Sequence, residues 1–65
     1  MRFIEVHPVD YSDRRIYINP VNIMAVGENE RHEALIFYNT LRAPEHVIES
    51  YDNVQIKIFK AMEGK

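Results

Sequence analysis

The chain has no cysteine among its 65 residues, so neither a disulfide nor a thiolate metal site can stabilise its fold. A chain of this length buries only about 60% of the surface that its unfolded form exposes, which makes its stability marginal. Small domains therefore depend on a cross-link, a metal or a partner subunit. Because 46% of the residues are hydrophobic, we expect a homo-oligomer that buries part of this surface between subunits.

The charge of the chain limits which partners are expected. The net charge is −2 at pH 7, and acidic and basic residues are interspersed. A general nucleic-acid binder normally has a basic stripe and a high isoelectric point, so we expect no such activity. No segment approaches the roughly 20 apolar residues that a membrane helix needs, and the N-terminus lacks the pattern of a secretory signal. We therefore expect a cytoplasmic protein without a membrane partner.

Hydrophobic and polar residues alternate along several short segments, and this pattern predicts a single domain, residues 1–65, rich in β-strand. In the first segment Phe3 points to one side, and Ile4 and Val6 point to the other. The predicted fold class is α+β: a small antiparallel β-sheet of about four to five strands, with barrel-like closure as one option, and a C-terminal helix. The predicted strands are residues 2–7, 15–19, 21–26, 34–38 and 41–43.

Turn-forming residues separate these strands. Residues 10–15 contain two aspartates and a serine, whose side chains bond to nearby backbone groups and favour turns. The pair Asn19-Pro20 indicates a break, so the following segment is either a strand or a short turn that leads into one. Residues 27–33 form the most polar stretch, which predicts the tip of a hairpin.

The last two predicted strands differ in their expected burial. Residues 34–38 are almost continuously apolar, which is typical of a central strand covered on both faces. Pro44 cannot donate a backbone hydrogen bond, so it limits residues 41–43 to a short or edge strand. Such an edge can extend the sheet of a partner protein, which makes a host protein a candidate partner. The same proline can equally serve to block unwanted pairing.

The C-terminal segment contains two competing patterns. Ser50 fits a helix N-cap, and Asp52 fits the first turn, where the helix dipole favours acids. Residues 54–58 also alternate, as a strand does. We favour the helix because it covers one face of an otherwise two-sided sheet. Its inward-facing stripe would consist of Tyr51, Val54, Ile58 and Met62.

Two apolar residues of this helix fall outside the stripe. Exposed apolar patches on small domains indicate interaction sites, so we expect Ile56 and Phe59 to form an oligomer interface. The alternative is a broader buried helix face within one subunit.

The order of the segments resembles a known family. The stretches IYINPVNI, LIFYNT and HVIESYDNV are similar to those of the small bacterial and phage FlbD-like proteins, which include the swarming-motility SwrD-like members. The chain differs at residues 10–15 and 39–46, where those proteins usually have turns that contain glycine. The resemblance implies the fold more than the role, and the role it implies is that of a flagellar motility accessory. The matching residues are Ile16, Ile18, Asn19, Ile23, Glu49, Ser50 and Val54.

The residues offer no recognisable catalytic set. Ser50 is explained by helix capping, and Asp10 and Asp13 by turn formation. Gly27 and Gly64 are the only glycines, which leaves no glycine-rich loop to bind phosphates. We therefore expect a protein that is not an enzyme and needs no cofactor.

The three histidines show no metal-ligand spacing. His7, His32 and His46 lie far apart in the sequence, whereas zinc sites usually combine closely spaced ligands. His32 belongs to the charged hairpin tip, where a solvated side chain is expected. We therefore predict no metal site.

One polar grouping has the composition of an anion site. Guanidinium groups bind phosphates through paired hydrogen bonds, and aromatic rings stack on bases. If subunits meet here, each interface gathers two copies of the group and forms a pocket for a nucleotide or another anionic small molecule. The alternative is an ordinary surface on which arginines pair with Asp10, Asp13 or Glu5 and the tyrosine rings cover sheet edges. The predicted ligand-binding residues are Tyr11, Arg14, Arg15, Tyr17 and Arg42.

Together these patterns favour a non-catalytic homo-oligomeric binding or interaction protein of phage or bacterial origin. A sharper alternative is a phage anti-defence sponge that sequesters a nucleotide immune signal through arginines and tyrosines at a subunit interface. A further alternative is the motility accessory role that the family resemblance implies.

Overall fold

The computed structural model describes residues 2–11, 13–39 and 43–63, and within them the chain forms five strands and one α-helix. All strand pairs are antiparallel. The predicted α+β class, a small antiparallel sheet with a C-terminal helix, is thereby confirmed. The elements are β1 (Ile4–Val6), β2 (Ile16–Ile18), β3 (Ile23–Glu28), β4 (Glu33–Tyr38), β5 (Glu45–Ser50) and α1 (Tyr51–Glu63).

The strands form two sheets that meet at one point. Strand β1 pairs with β2, and the second sheet has the order β3-β4-β5. An isolated antiparallel bridge between Pro8 and Val47 joins them, and the N–H of Ile48 donates to the carbonyl of His7 at 2.9 Å. Because the described strands do not close on themselves, the barrel-like option is wrong.

Strand β1 shows the predicted alternation. Ile4 and Val6 are buried, and Phe3 is exposed on the other side. The strand ends at Val6, shortly before Pro8, which has no N–H to donate to a ladder. A short 3₁₀ turn at Val9–Tyr11 follows and overlaps the start of residues 10–15, the region predicted to turn.

The predicted break at Asn19-Pro20 is also present. The Oδ1 of Asn19 accepts a hydrogen bond from the N–H of Val21 at 3.1 Å, which caps a 3₁₀ turn at Pro20–Asn22. Proline suits this position because its fixed φ is already that of a turn. The segment is thus a turn that leads into β3, one of the two forms predicted.

The hairpin between β3 and β4 has a shorter tip than predicted. The Oδ1 of Asn29 accepts from the N–H groups of Arg31 at 2.9 Å and Glu33 at 3.0 Å, so one side chain organises the turn. His32 takes the left-handed conformation, with φ of 65°, which few non-glycine residues adopt. Gly27 lies within β3 and has no part in the turn.

Strand β4 is central, as predicted, but it is covered on one face only. Ala34 and Ile36 are fully buried toward the helix, whereas Phe37 is 38% exposed on the opposite face. The prediction of burial on both faces is therefore wrong. The reason is that α1 packs against a single side of the sheet, and none of the described residues forms a second layer.

The last strand lies further along the chain than predicted. Leu41 and Arg42 are outside the described residues, and Ala43 lies in a bend. Strand β5 begins directly after Pro44 and contributes Val47, which is fully buried. Proline is tolerated just before a strand, and Pro44 directly precedes this one.

The C-terminal segment is a helix, and the strand alternative is wrong. The Oγ of Ser50 accepts from the N–H of Asn53 at 3.1 Å, which confirms the predicted N-cap. Asp52 lies in the first turn. Within the described residues, no helix has the length and hydrophobicity required to cross a membrane.

The inward stripe of α1 differs from the prediction at its end. Val54 is buried and Ile58 packs against the core. Ala61 completes the stripe, whereas Met62 is 62% exposed. Seven residues make nearly two full turns, so Ala61 lies on the face of Val54 and Met62 is rotated about 100° further.

The core lies between α1 and the inner faces of both sheets. It consists of side chains from β1, β2, β4, β5 and α1, and the chain is compact with a radius of gyration of 11.0 Å. Partly buried residues of β2, β3, β4 and α1 surround it. The buried core residues are Ile4, Val6, Ile18, Ala34, Ile36, Val47, Val54 and Ala61.

Because Ile36 is fully buried, we expect Ile36→Ala to lower the free energy of unfolding by about 2–5 kcal/mol through lost burial and a residual cavity. Ile48→Ala removes the same atoms from an exposed position of the neighbouring strand, and it should cost less than about 1 kcal/mol. Urea denaturation followed by circular dichroism measures both. Equal losses would contradict the described core.

Candidate functional site

The loop between β1 and β2 brings together two of the predicted ligand-binding residues. The Arg14 guanidinium carbon lies 5.5 Å from the centroid of the Tyr11 ring, within the range of a cation–π contact. The N–H of Arg14 also donates to the carbonyl of Tyr11 at 2.9 Å. Both side chains are exposed, so they form a small preorganised surface feature.

The other predicted ligand-binding residues do not join that pair. The Tyr17 hydroxyl donates to Oε1 of Glu5, its cross-strand partner, at 3.3 Å. Arg15 is exposed just before β2, and Arg42 lies outside the described residues. Since no contact in the described part of the chain links Tyr17 to Arg14, the nucleotide pocket stays a prediction.

The alternative prediction, that the arginines form ion pairs with nearby carboxylates, is also not seen among the described residues. There, every ion pair joins a histidine to a glutamate, and no arginine pairs with Asp10, Asp13 or Glu5. The guanidinium groups of Arg14 and Arg15 therefore keep their hydrogen-bonding capacity for water or a ligand.

Tyr17 lines an open cleft of about 460 Å³ between β2 and the ends of β4 and β5. Asn19, Asn22, Tyr38 and Glu45 also line it. Burial raises the pKa of Tyr38 to about 12, and the negative charge of Glu45 adds to the increase. Tyr38 is thus a neutral phenol at physiological pH, suited to hydrogen bonding rather than to proton abstraction.

A histidine–glutamate pair reinforces the point where the two sheets meet. The Nδ1 of His7 lies 2.6 Å from Oε2 of Glu49, and the backbone N–H of His7 donates to Oε1 of Glu49 at 2.9 Å. A carboxylate has no hydrogen to give, so Nδ1 is the donor. The two residues are 42 positions apart, and no local pattern in the sequence signals such a pair.

A second pair connects the hairpin tip to β5. The Nε2 of His46 lies 2.8 Å from Oε1 of Glu33, and the side-chain amide of Asn29 donates to the same oxygen at 2.9 Å. These contacts lower the pKa of Glu33 below its ordinary value of 4.5, with the Asn29 hydrogen bond as the largest cause and His46 the next. Burial opposes the change, and Arg31 adds a weaker attraction.

The histidines do not assemble a metal site within the described residues. Residues 2–11, 13–39 and 43–63 contain no group of three or more histidine, aspartate or glutamate side chains placed to hold a metal ion. The side chain of His32 is exposed near Glu28, at 3.1 Å, as predicted for a solvated residue of the hairpin.

The outward side of α1 presents three large apolar side chains, Ile56, Phe59 and Met62, which we call the helix surface. Ile56 is 51% exposed and Phe59 is 57% exposed. The alternative prediction, a broad helix face buried within one subunit, is therefore wrong. The spacing of three residues places the side chains in a row along the helix, so they offer a continuous surface rather than isolated contacts.

Comparison of the chain with protein-family models, with curated proteins and with solved structures finds no match. The resemblance to the FlbD-like proteins and the motility role that it implies therefore stay predictions.

The lowered pKa of Glu33 makes a testable contribution to stability. A carboxyl group with a lower pKa in the folded state stabilises the fold above its unfolded pKa, and this contribution disappears as the pH falls through the folded pKa. We expect Glu33→Gln to reduce the free energy of unfolding at pH 7. The difference from the native protein should vanish in acid, below the lowered pKa.

Urea denaturation at a series of pH values measures this effect. Glu30→Gln removes the same charge from an exposed position of the same turn and serves as the matched control. A loss at neutral pH that is equal in the two variants, or one that persists in acid, would contradict the assigned role of Glu33.

Proposed function

We propose that this protein is a non-catalytic interaction protein that self-associates through the helix surface. The supporting observation is that, among the described residues, more large hydrophobic side chains are exposed than buried. Ile56, Phe59 and Met62 form a continuous row of such side chains along α1, and extended apolar patches typically mark protein interfaces.

The small core explains why self-association would benefit the fold. Its buried side chains come from short strands and a single helix, and the outer face of the three-stranded sheet has no second layer among the described residues. Burial of apolar area contributes roughly 25 cal/mol per Å². A subunit interface would therefore add stability that the core of one subunit lacks.

The helix surface suits a symmetric contact. In the commonest dimers the same patch of each subunit meets its copy across a two-fold axis. If the axis passes near Ile56, each Ile56 meets its counterpart, and Phe59 flanks the contact. Two antiparallel helices also place opposite ends of their dipoles together. These features favour an antiparallel helix pair as the core of the assembly.

The interface can be tested by placing a charge at its centre. We expect the native protein to sediment as a dimer or larger assembly at micromolar concentration. Ile56→Glu should weaken assembly at least about 100-fold, because each copy loses about 1.5–3 kcal/mol of side-chain burial and gains a charge that resists burial. Sedimentation equilibrium measures both masses.

Ile48→Glu is the matched control, because it makes the same substitution on the outer face of β5, opposite the buried Val47 and away from the helix surface. Ile48 is exposed in the single subunit, so the glutamate there stays solvated and the assembly should persist. A native protein that stays monomeric at micromolar concentration would refute the proposal. Equal weakening in the two variants would show that the interface lies elsewhere.

A further inference from the structure

A second groove lies between the beginning of β1 and the C-terminal half of α1. It has a volume of about 190 Å³, and its lining combines the cationic Arg2, Lys57 and Lys60 with apolar residues that include Phe3 and Ala61. The N–H of Arg2 donates to the carbonyl of Ala61 at 3.3 Å. This hydrogen bond ties the segment before β1 to the helix at the edge of the groove.

The three cationic residues of this groove outnumber its one acidic residue, so the lining keeps a net positive charge. Glu5 is the acidic residue in the lining, but its carboxylate is already engaged: Oε1 accepts from Tyr17 at 3.3 Å, and Oε2 lies 3.7 Å from Nε2 of His7. The described ion pairs all join histidine to glutamate. Arg2, Lys57 and Lys60 thus make no ion pair with a described carboxylate.

This concentration of cations is unexpected for the chain as a whole, whose net charge is −2. Lys57 and Lys60 are three positions apart on one helix, a spacing at which side chains are neighbours and like charges repel. A bound anion would relieve that repulsion. Lysine ammonium groups and arginine guanidinium groups are the usual protein partners of phosphate.

We infer that this groove binds the phosphate groups of a nucleoside phosphate while the base stacks on Phe3. Sites that enclose a whole drug-sized ligand occupy about 300–1,000 Å³, so this groove admits only the anionic part of such a molecule. Phe3 is exposed beside the opening, and aromatic rings stack on bases with little sequence preference.

This site differs from the arginine and tyrosine group predicted from the sequence. Ile4 pairs with Ile18 at one end of the β1–β2 sheet, near the groove, whereas Val6 pairs with Ile16 at the other end, where Arg14 and the preceding loop lie. The inference does not depend on the helix surface or on self-association, so the two proposals can fail independently.

Isothermal titration calorimetry of the full chain with ADP, pyrophosphate and adenosine tests the inference. We expect ADP and pyrophosphate to bind and adenosine to bind much more weakly, because the phosphates supply the charge. Affinity for both anions should fall from low to physiological salt, since salt screens exposed charges. Backbone amide shifts in nuclear magnetic resonance spectra should change at residues 2–4 and 57–61.

Two variants separate the parts of the site. Lys57→Gln combined with Lys60→Gln should lower the affinity for ADP and for pyrophosphate at least about tenfold, which is the loss expected when hydrogen bonds to charged groups are removed. Phe3→Leu should lower the affinity for ADP severalfold and leave the affinity for pyrophosphate unchanged. Arg14→Gln combined with Arg15→Gln removes the same charge from the competing site predicted from the sequence, at the opposite end of the sheet, and both affinities stay unchanged if the groove is the binding site.

Several outcomes would overturn the inference. One is the absence of heat and of amide shifts with both ADP and pyrophosphate. Another is a loss of affinity confined to the Arg14 and Arg15 variant, which would place the site in the β1–β2 loop. Equal losses in the two double variants would indicate only non-specific attraction. Far-UV circular dichroism confirms that each variant is folded before its affinity is compared.

Discussion

The attachment of β1 to β5 is the contact on which the architecture depends. A two-stranded antiparallel pair is marginally stable by itself in water, and β1 and β2 are only three residues long each. The bridge at Pro8 and the hydrogen bond from Ile48 to His7 connect this pair to the three-stranded sheet. Glu49 reinforces the junction by accepting from both the backbone and the ring of His7. Without this attachment of β1 to β5, the β1–β2 pair would not be joined to the three-stranded sheet.

Once the two sheets are joined, a single helix suffices to cover their shared inner face. Because a single helix has only one inward-facing stripe, the remaining apolar side chains of the helix and of the outer sheet face are left exposed. Ile56 and Phe59 on α1 and Phe37 on β4 are exposed for this reason. The proposed self-association follows from a fold with one buried layer, and the cationic groove follows from the way α1 closes against β1. Because Ile56 and Lys60 are four positions apart, the two candidate surfaces lie next to each other on the same helix.

Local patterns in the sequence were sufficient for most of the elements. Alternation identified β1 and β2, and Ser50 with its neighbours identified the start of α1. Pro44 was misleading because proline is compatible with either end of a strand, and only the pairing of β5 with β4 decides which. Ala61 and Met62 are three and four positions after Ile58, and helical spacing allows either one to continue the buried stripe. Only the packing of the helix decides that Ala61 is the buried residue.

Local patterns could not predict sites that are formed by residues distant in the sequence. The pairing of His7 with Glu49 and the grouping of Arg2 with Lys57 and Lys60 require knowledge of which elements are neighbours. The predicted arginine and tyrosine group had local spacing in its favour, yet the described contacts unite only Arg14 with Tyr11. Proximity along the chain was therefore a poor guide to which charged residues share a surface.

The distance in sequence between β1 and β5 also bears on how the chain folds. Strands β3, β4 and β5 form from successive hairpins and need only short loops, whereas the contact between His7 and Glu49 closes a loop across 42 positions. Closing a longer loop costs more chain entropy and slows the formation of its contacts. We expect the meander and the helix to form first and the β1–β2 pair to dock last. The N-terminal hairpin would then be the unit that opens most readily in the native state, exposing the inner face of β5 while the rest of the sheet remains intact.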